Sequence, residues 1–330
     1  MADFETAIQD AVAVQEIPGC ALAATSRDES FTYNKAFGRT SMDISRAKPF
    51  DLDTMMWVAS CTKLMTSICA MQLVESGKIT LDEPVYRVVP ELENFKVLTG
   101  FTDEGAPIEE KHKAPITLRN LLTHSSGLVY EAMGHPLATA YLKYHKKRPS
   151  SSGKLLERFN FPLMFEPGSS WTYGPGIDYA GLVVERISGL TLEDYMKKNL
   201  WVPLGITDIT FFPSTRPDLA ARMADMSERT ETGKANNAMG GIPKHILKDY
   251  GLGGVINMSD GPDGSKAGTM RWGGYPNLIW WVDRKSGFCG IYGGQVVPPG
   301  DATCAALTRK WEEGVYGLHE KHRQKGGLKI

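Results

Sequence analysis

Cysteine is scarce in this chain and has no obvious pairing. Cys20, Cys61, Cys69, Cys289 and Cys304 are odd in number, form no C-x-x-C and lie mostly in apolar runs. That excludes a disulfide-stapled scaffold and reads as buried free thiols in a reducing, cytoplasmic compartment. Excess charge is missing too: 37 Lys+Arg against 38 Asp+Glu leave a formal net charge of -1. No overall field therefore draws the chain to nucleic acid or to a membrane surface. No apolar run approaches membrane-spanning length. The acidic, amphipathic start, residues 1–12, lacks the basic segment and apolar core of a secretory signal. The seven histidines show no ligand spacing, so no metal is indicated, and nothing points to any other cofactor. Internal repeats and low-complexity linkers are absent.

What is present is an ordinary globular composition, 42% hydrophobic and 23% charged over 330 residues, enough for two domains. Residues 4–15 predict a helix, broken by Ile17-Pro18-Gly19. Residues 20–25 and 30–37 predict two strands. A helix opening at Ser60 is expected to end near Gly77. From about residue 81 to 226 the signals are mostly helical: a short helix at 118–122, a strong one at 177–187 with Gly189 past its end, and another at 192–200 capped by Thr191. Residues 253–258, 269–283 and 287–297 read as three β segments, with 283–287 as a hairpin connection. A closing helix runs over 301–315, capped by Asp301. The economical fold is α+β. The two ends, residues 1–80 and 242–330, make one antiparallel sheet flanked by helices, residues 81–241 form an inserted helical domain, and a ligand cleft is expected between them.

The candidate chemistry begins at Ser60-Cys61-Thr62-Lys63. Helical positions i and i+3 share a face, so a serine and a lysine so spaced can meet. A serine hydroxyl is a poor nucleophile until a base takes its proton, and a lysine in apolar surroundings can be that base. Cys61 adjoins the serine but points elsewhere on a helix, as a small buried hydrophobe would. A second piece is Tyr173, presented by the turn-rich loop from Glu166-Pro167-Gly168 to Gly174-Pro175-Gly176. A phenol beside a lysine can shuttle protons. The third is Arg271-Trp272-Gly273-Gly274-Tyr275. Paired glycines in a strand suggest close approach of a ligand, and an open strand edge offers a backbone N–H to an oxyanion.

In order and spacing these three pieces resemble the serine β-lactamase and penicillin-binding-protein superfamily. The chain is most similar to its class C-like branch of family VIII carboxylesterases and fungal lovastatin-type acyltransferases. Leu121-Leu122-Thr123-His124-Ser125-Ser126-Gly127-Leu128 and Pro203-Leu204-Gly205-Ile206 strengthen the likeness, which covers about residues 5–316. The resemblance implies a β-lactamase-like fold. It also implies Ser60 as acylated nucleophile, Lys63 as general base, Tyr173 as proton relay, and the backbone N–H groups of Ser60 and Tyr275 as oxyanion hole. Trp272, Gly273 and Gly274 would occupy the substrate-facing K-T-G position, and His124 would be structural.

The chain departs from the β-lactamases in three places. Tyr173-Gly174-Pro175 lacks the asparagine of their Y-x-N. Trp272 stands where they have a lysine, replacing a carboxylate-binding cation by an apolar face. Both changes favour a neutral ester or an acyl thioester, CoA- or carrier-protein-linked, over penicillin-like substrates. Relatives also carry a further segment between the positions of Met226 and Ala235, where residues 227–234 are a short polar bridge. The leading expectation is a serine hydrolase or acyltransferase working through an acyl-serine. A β-lactamase-like amide hydrolase, an isomerase- or cyclase-like biosynthetic protein using the same cleft, and a binding protein with a dead site are the competing readings.

Overall fold

The computed structural model describes residues 2–230 and 246–326. In chain order the elements begin with α1 (Asp3–Ala13), β1 (Gly19–Ser26), β2 (Thr32–Gly38) and α2 (Thr62–Glu75). There follow β3 (Lys96–Phe101), β4 (Pro107–Lys111), α3 (Leu118–Leu122), α4 (Pro136–Tyr144), α5 (Leu155–Arg158), α6 (Gly176–Ser188), α7 (Leu192–Met196) and α8 (Pro217–Ala220). The last third holds β5 (Ser227–Glu228), β6 (Lys248–Tyr250), β7 (Val255–Asn257), β8 (Met270–Gly274), β9 (Leu278–Asp283), β10 (Phe288–Gly294), β11 (Val296–Val297) and α9 (Ala302–Gly326).

Contacts divide the chain into two compact units: Met1–Thr62 with Asp208–Asp249 and Gly254–Ile330, and Lys63–Thr207 with Tyr250–Gly253. The expected division at residues 80 and 241 therefore shifts. α2 packs with the helical block, and residues 208–226 go with the sheet.

The first unit is built on a seven-stranded sheet of order β2-β1-β10-β9-β8-β7-β6. The pairings from β2 through β7 are antiparallel, and β1 joins β10 across most of the chain's length. Strand β1 alternates buried and half-buried residues, as a strand with one covered face should. α1 and α9 supply the cover. Phe4 and Ile8 of α1 join Leu307, Trp311 and Val315 of α9 in one core with Leu22, Trp281 and Tyr292 of the sheet. The two helices approach closely because residue 314 is glycine. A Cβ there would lie 2.1 Å from the Phe4 ring. Beneath this core Arg271 of β8 is held by Asp263 at 2.8 Å and by Glu312 of α9 at 3.2 Å.

In the second unit, buried residues of α3 (Leu118, Leu121, Leu122) and α6 (Ile177, Ala180, Val183, Val184) make the helical core. A Cβ at Gly176 would sit 2.3 Å from the Leu121 carbonyl oxygen, so glycine permits the crossing of α3 and α6. Thr191 caps α7 by accepting the Asp194 N–H at 3.1 Å, and Gly189 ends α6 at φ +72°.

Three expectations need correction. The helical block contains a β-hairpin, β3–β4. β4, Pro-Ile-Glu-Glu-Lys, is largely exposed and charged, so it carries no apolar alternation to read. The segment expected as one strand at 269–283 is two, β8 and β9, folded at Tyr275-Pro276-Asn277 with Asn277 at φ +60°. The closing helix runs to Gly326, well beyond 315. Of the polar bridge 227–234, residues 231–234 lie outside the described residues.

Candidate active site

In the first unit the approach to Ser60 is set by a buried amide. Gln295, 1% exposed, accepts the Trp57 N–H at 3.0 Å and donates to the Trp57 carbonyl at 3.0 Å. The peptides on both sides of Trp57 are thus pinned to Gln295, the residue after β10. Two residues on, Ala59 takes φ +44°, a left-handed conformation that costs a non-glycine residue roughly 1–2 kcal/mol. Strain of this kind persists where surrounding contacts over-determine it, commonly at functional sites. Ser60 follows in a 3₁₀ turn, Ala59–Cys61, closed by Cys61 N–H donating to the Val58 carbonyl at 3.0 Å. The expected α-helical Ser60 is therefore corrected. The serine sits on a tighter turn and the α-helix starts at Thr62, as helix entries often do.

The end of β8 lies against this turn. A Cβ at Gly274 would fall 2.5 Å from the Val58 carbonyl oxygen and 3.4 Å from Cys61 Sγ. At Gly273 it would meet Leu278 O and Ile279 Cδ1, both at 2.7 Å. Glycine at both positions thus makes room for the protein's own atoms, the Val58 carbonyl and Cys61 Sγ at 274 and Leu278 and Ile279 at 273. Trp272 itself is 5% exposed. The exposed aromatic surface lies next door. Tyr275 (52% exposed) and Trp57 (50% exposed) bring their rings to 6.2 Å between centroids.

β7 pairs with Met270 and Arg271 of β8. The turn that carries the Tyr275 N–H is fastened by buried Asn277. Its Nδ2 donates to Val296 O (2.7 Å) and Pro298 O (2.8 Å), and its Oδ1 accepts from Gly300 N–H (2.8 Å) and Asp301 N–H (3.3 Å). All of that amide's hydrogen-bonding capacity holds one turn in place.

In the second unit Lys63, the second residue of α2, lies among aromatic rings. Its Nζ is 5.3 Å from the Tyr173 ring centroid and 5.4 Å from that of Tyr130. Both are within the range where a ring face attracts a cation. The two rings meet edge to face at 5.3 Å. The Tyr130 hydroxyl donates to Asp178 Oδ2 of α6 at 2.5 Å, and burial together with that carboxylate holds its phenol well above the usual tyrosine range. Tyr130 is thereby fixed as a donor to Asp178.

Tyr173 is placed by the loop before α6. Gly174 must be glycine, because a Cβ would lie 2.1 Å from the Leu128 carbonyl oxygen. Further back, Glu166 Oε1 accepts the N–H groups of Lys113 and Ala114, both at 2.5 Å, anchoring the loop's start. His124, 1% exposed, packs its ring on Tyr173 at 4.7 Å and on Tyr250 at 4.9 Å. Burial, then the Lys63 charge, pushes its imidazole down to about 3, so it is neutral at ordinary pH.

The structure therefore brings Lys63 and Tyr173 together in one unit, and Ser60, Gly274 and Tyr275 together in the other. Tyr130, Asp178, Trp57, Gln295 and Asn277 were not anticipated. Tyr130 stands three residues after Gly127 of the His-Ser-Ser-Gly signature, and that proximity was the only signal for it. Among the described residues no three His, Cys, Asp or Glu side chains gather as a metal site.

Comparison with known proteins gives this arrangement its class. The family model described as Beta-lactamase matches residues 4–241, and the chain belongs to that family. Over nearly its whole length it is also similar to characterised fungal enzymes. It is 32% identical to ML-236A carboxylate methylbutanoyltransferase mlcH of Penicillium citrinum, covering 96% of this chain and 94% of the relative. It is 31% identical to lovastatin esterase of Penicillium rubens, covering 95% and 98%. Among solved structures, simvastatin synthase from Aspergillus terreus, LovD9 mutant, superposes with a TM-score of 0.88 at 33% identity, covering 96% of this chain and 98% of that one. The chain thus stands with the β-lactamase-related esterases and acyltransferases. The first alignment spans 394 positions against 330 residues here, so that relative carries segments this chain does not.

Proposed function

We propose that the chain transfers or hydrolyses acyl groups through a covalent acyl-serine on Ser60, with Lys63 as base and Tyr173 as proton relay. The observation that carries this is the Lys63 amine lying over the Tyr173 ring, three residues after a serine that follows a strained alanine. Ser60 lies in the 3₁₀ turn Ala59–Cys61 and Lys63 follows as the second residue of α2, so the i, i+3 spacing runs across one helical entry. Lys63 takes the Ser60 proton and Ser60 Oγ attacks the substrate carbonyl. The N–H groups of Ser60 and Tyr275 hold the resulting oxyanion. A preorganised donor of this kind is worth about 3 kcal/mol in serine hydrolases. The alcohol or thiol leaves with a proton returned through Tyr173. Water or a second alcohol then attacks the acyl-serine, releases the acid or the new ester, and restores Ser60.

The substrate is a small neutral ester or acyl thioester, with the acyl group carried on CoA or a carrier protein when the donor is a thioester. The half-exposed Trp57–Tyr275 pair supports this by giving an apolar surface close to the Ser60 turn. The names of the relatives, a methylbutanoyltransferase and a lovastatin esterase, support a polyketide-type alcohol as acceptor or leaving group.

Intact-protein mass measured after a short p-nitrophenyl ester decides the matter. The wild-type chain is expected to gain one acyl group and Ser60→Ala none. An unmodified wild type, or an adduct that survives Ser60→Ala, overturns the proposal. Turnover of the true ligand by Ser60→Ala would favour isomerase- or cyclase-like chemistry instead.

A further inference from the structure

We infer that His124 is a positioning residue, which as a neutral hydrogen-bond acceptor at Nδ1 holds Tyr173 against the Lys63 amine. The inference rests on the role proposed above for Tyr173 and adds what aims that phenol.

His124 touches three consecutive residues of the Tyr173 loop. Its carbonyl accepts the Thr172 N–H at 3.1 Å, and its Nδ1 accepts the Gly174 N–H at 3.4 Å. Its ring lies edge to face on Tyr173 between those two bonds, at 4.7 Å and 62°. The residues on both sides of Tyr173 are therefore tied by their N–H groups to the carbonyl and side chain of one residue. His124 itself sits at φ +56°, a left-handed conformation uncommon for any residue but glycine, though histidine and asparagine tolerate it better than most. That strain is maintained at a residue buried to 1% exposure, where its backbone and ring serve the same loop.

Nδ1 can serve this way in one protonation state only. With Nδ1 accepting, the ring proton sits on Nε2. A second proton would turn Nδ1 into a donor facing the Gly174 N–H, also a donor. It would also add positive charge beside Lys63. Among the described residues, the groups packed around the ring are Lys63 from α2, Tyr173 and Trp171 from the loop, and Tyr250 from β6. None is a carboxylate that would stabilise an imidazolium. His124 consequently takes no part in the proton relay, and its contribution is geometric.

The test compares His124→Asn with His124→Gly. Both residues accept the left-handed backbone and both lose the imidazole, but only asparagine keeps a short side-chain acceptor near the place of Nδ1. On a p-nitrophenyl ester, His124→Asn is expected to keep kcat within about threefold. His124→Gly is expected to lose about a hundredfold in kcat with KM nearly unchanged, the low end of what a misplaced proton-transfer group costs. A second readout needs no turnover. With 3-fluorotyrosine at position 173, the fluorine resonance should match wild type in His124→Asn and shift or broaden in His124→Gly. If the wild type takes no acyl group, the acyl-serine proposal falls while the fluorine signal still decides the role of His124. Near-UV circular dichroism checks folding, and should the glycine variant unfold, His124→Ala replaces it in the same comparison. A folded glycine or alanine variant with wild-type kcat and resonance overturns the inference, as does an asparagine variant impaired as far as the glycine one.

Discussion

Arg271 in the first unit and His124 in the second are both basic, both buried to 2% exposure or less, and treated in opposite ways. Arg271 keeps its charge because Asp263 and Glu312 face its guanidinium, and together they raise its proton affinity. His124 gives its charge up, since it is enclosed by rings and by Lys63. A buried cation with carboxylates on two sides is locked and serves the core between sheet and α9. A neutral imidazole adds no positive charge beside Lys63, the residue proposed to take the Ser60 proton. The same residue class thus builds a structural centre in one place and supports a chemical one in the other, and the neighbours decide which.

The comparison can be broken by exchanging charge for apolar volume. Lys63→Met is expected to lower acyl transfer by about 10²- to 10⁴-fold, the range for a general base, with little loss of stability in urea titration. Arg271→Met should do the reverse. It leaves two carboxylates buried without their cation and should cost about 3–5 kcal/mol of stability. Equal destabilisation by the two variants would show that the centres do not differ in kind.

Tyr130→Phe probes the wall beside Lys63. It removes the donor to Asp178 and should cost about 1–3 kcal/mol of stability. In a double-mutant cycle with Asp178→Asn most of that loss should disappear, and independent effects would sever the pair.

Trp57→Ala reads the other unit. Its removal should reduce the preference for a naphthyl over a methyl ester about tenfold, measured as a ratio of kcat/KM values. An unchanged ratio would take Trp57 out of substrate selection.

The smallest expected effect is in the pH dependence of stability, and its sign separates the two centres. Burial pushes the Glu312 carboxyl up from 4.5 to about 7, so the folded protein holds that proton more tightly than the unfolded chain. This contribution is whole below 4.5 and lost as pH rises through about 7. His124 runs the other way. Its contribution is whole above 6.5 and lost as pH falls through about 3. Urea titrations across this range should lose the alkaline slope in Glu312→Gln and the acid slope in His124→Asn. A slope that persists in its variant belongs to another group.

Much of this molecule was legible in one dimension because the signals were local. The end of α2 at Gly77, the end of α6 at Gly189, the cap of Thr191 and the hairpin at 283–287 each depend on a few neighbouring residues. Ser60, Lys63 and Tyr173 stood out for the same reason, each inside a short motif. The β3–β4 hairpin was missed because its charged, exposed strand has no apolar period. Adjacency in a motif did not say that Trp272 is buried and Tyr275 half-exposed. Nor does a sequence record which atoms the missing Cβ groups of Gly273 and Gly274 make room for.

Sequence alone determined the α+β class, through periodicity, capping and turn signals within about a dozen residues, and its short motifs carried the resemblance that pointed to the family. Tertiary structure alone decided the left-handed Ala59 before Ser60, the enclosure of Lys63 by Tyr130 and Tyr173, and the grip of His124 on the N–H groups of Thr172 and Gly174, either side of Tyr173. Tyr130 and Tyr173 lie 67 and 110 positions from Lys63, and Gly174 lies 50 from His124. No periodicity spans such separations. Only packing around a shared core brings those groups within hydrogen-bonding and ring-contact range, and burial there sets their charge.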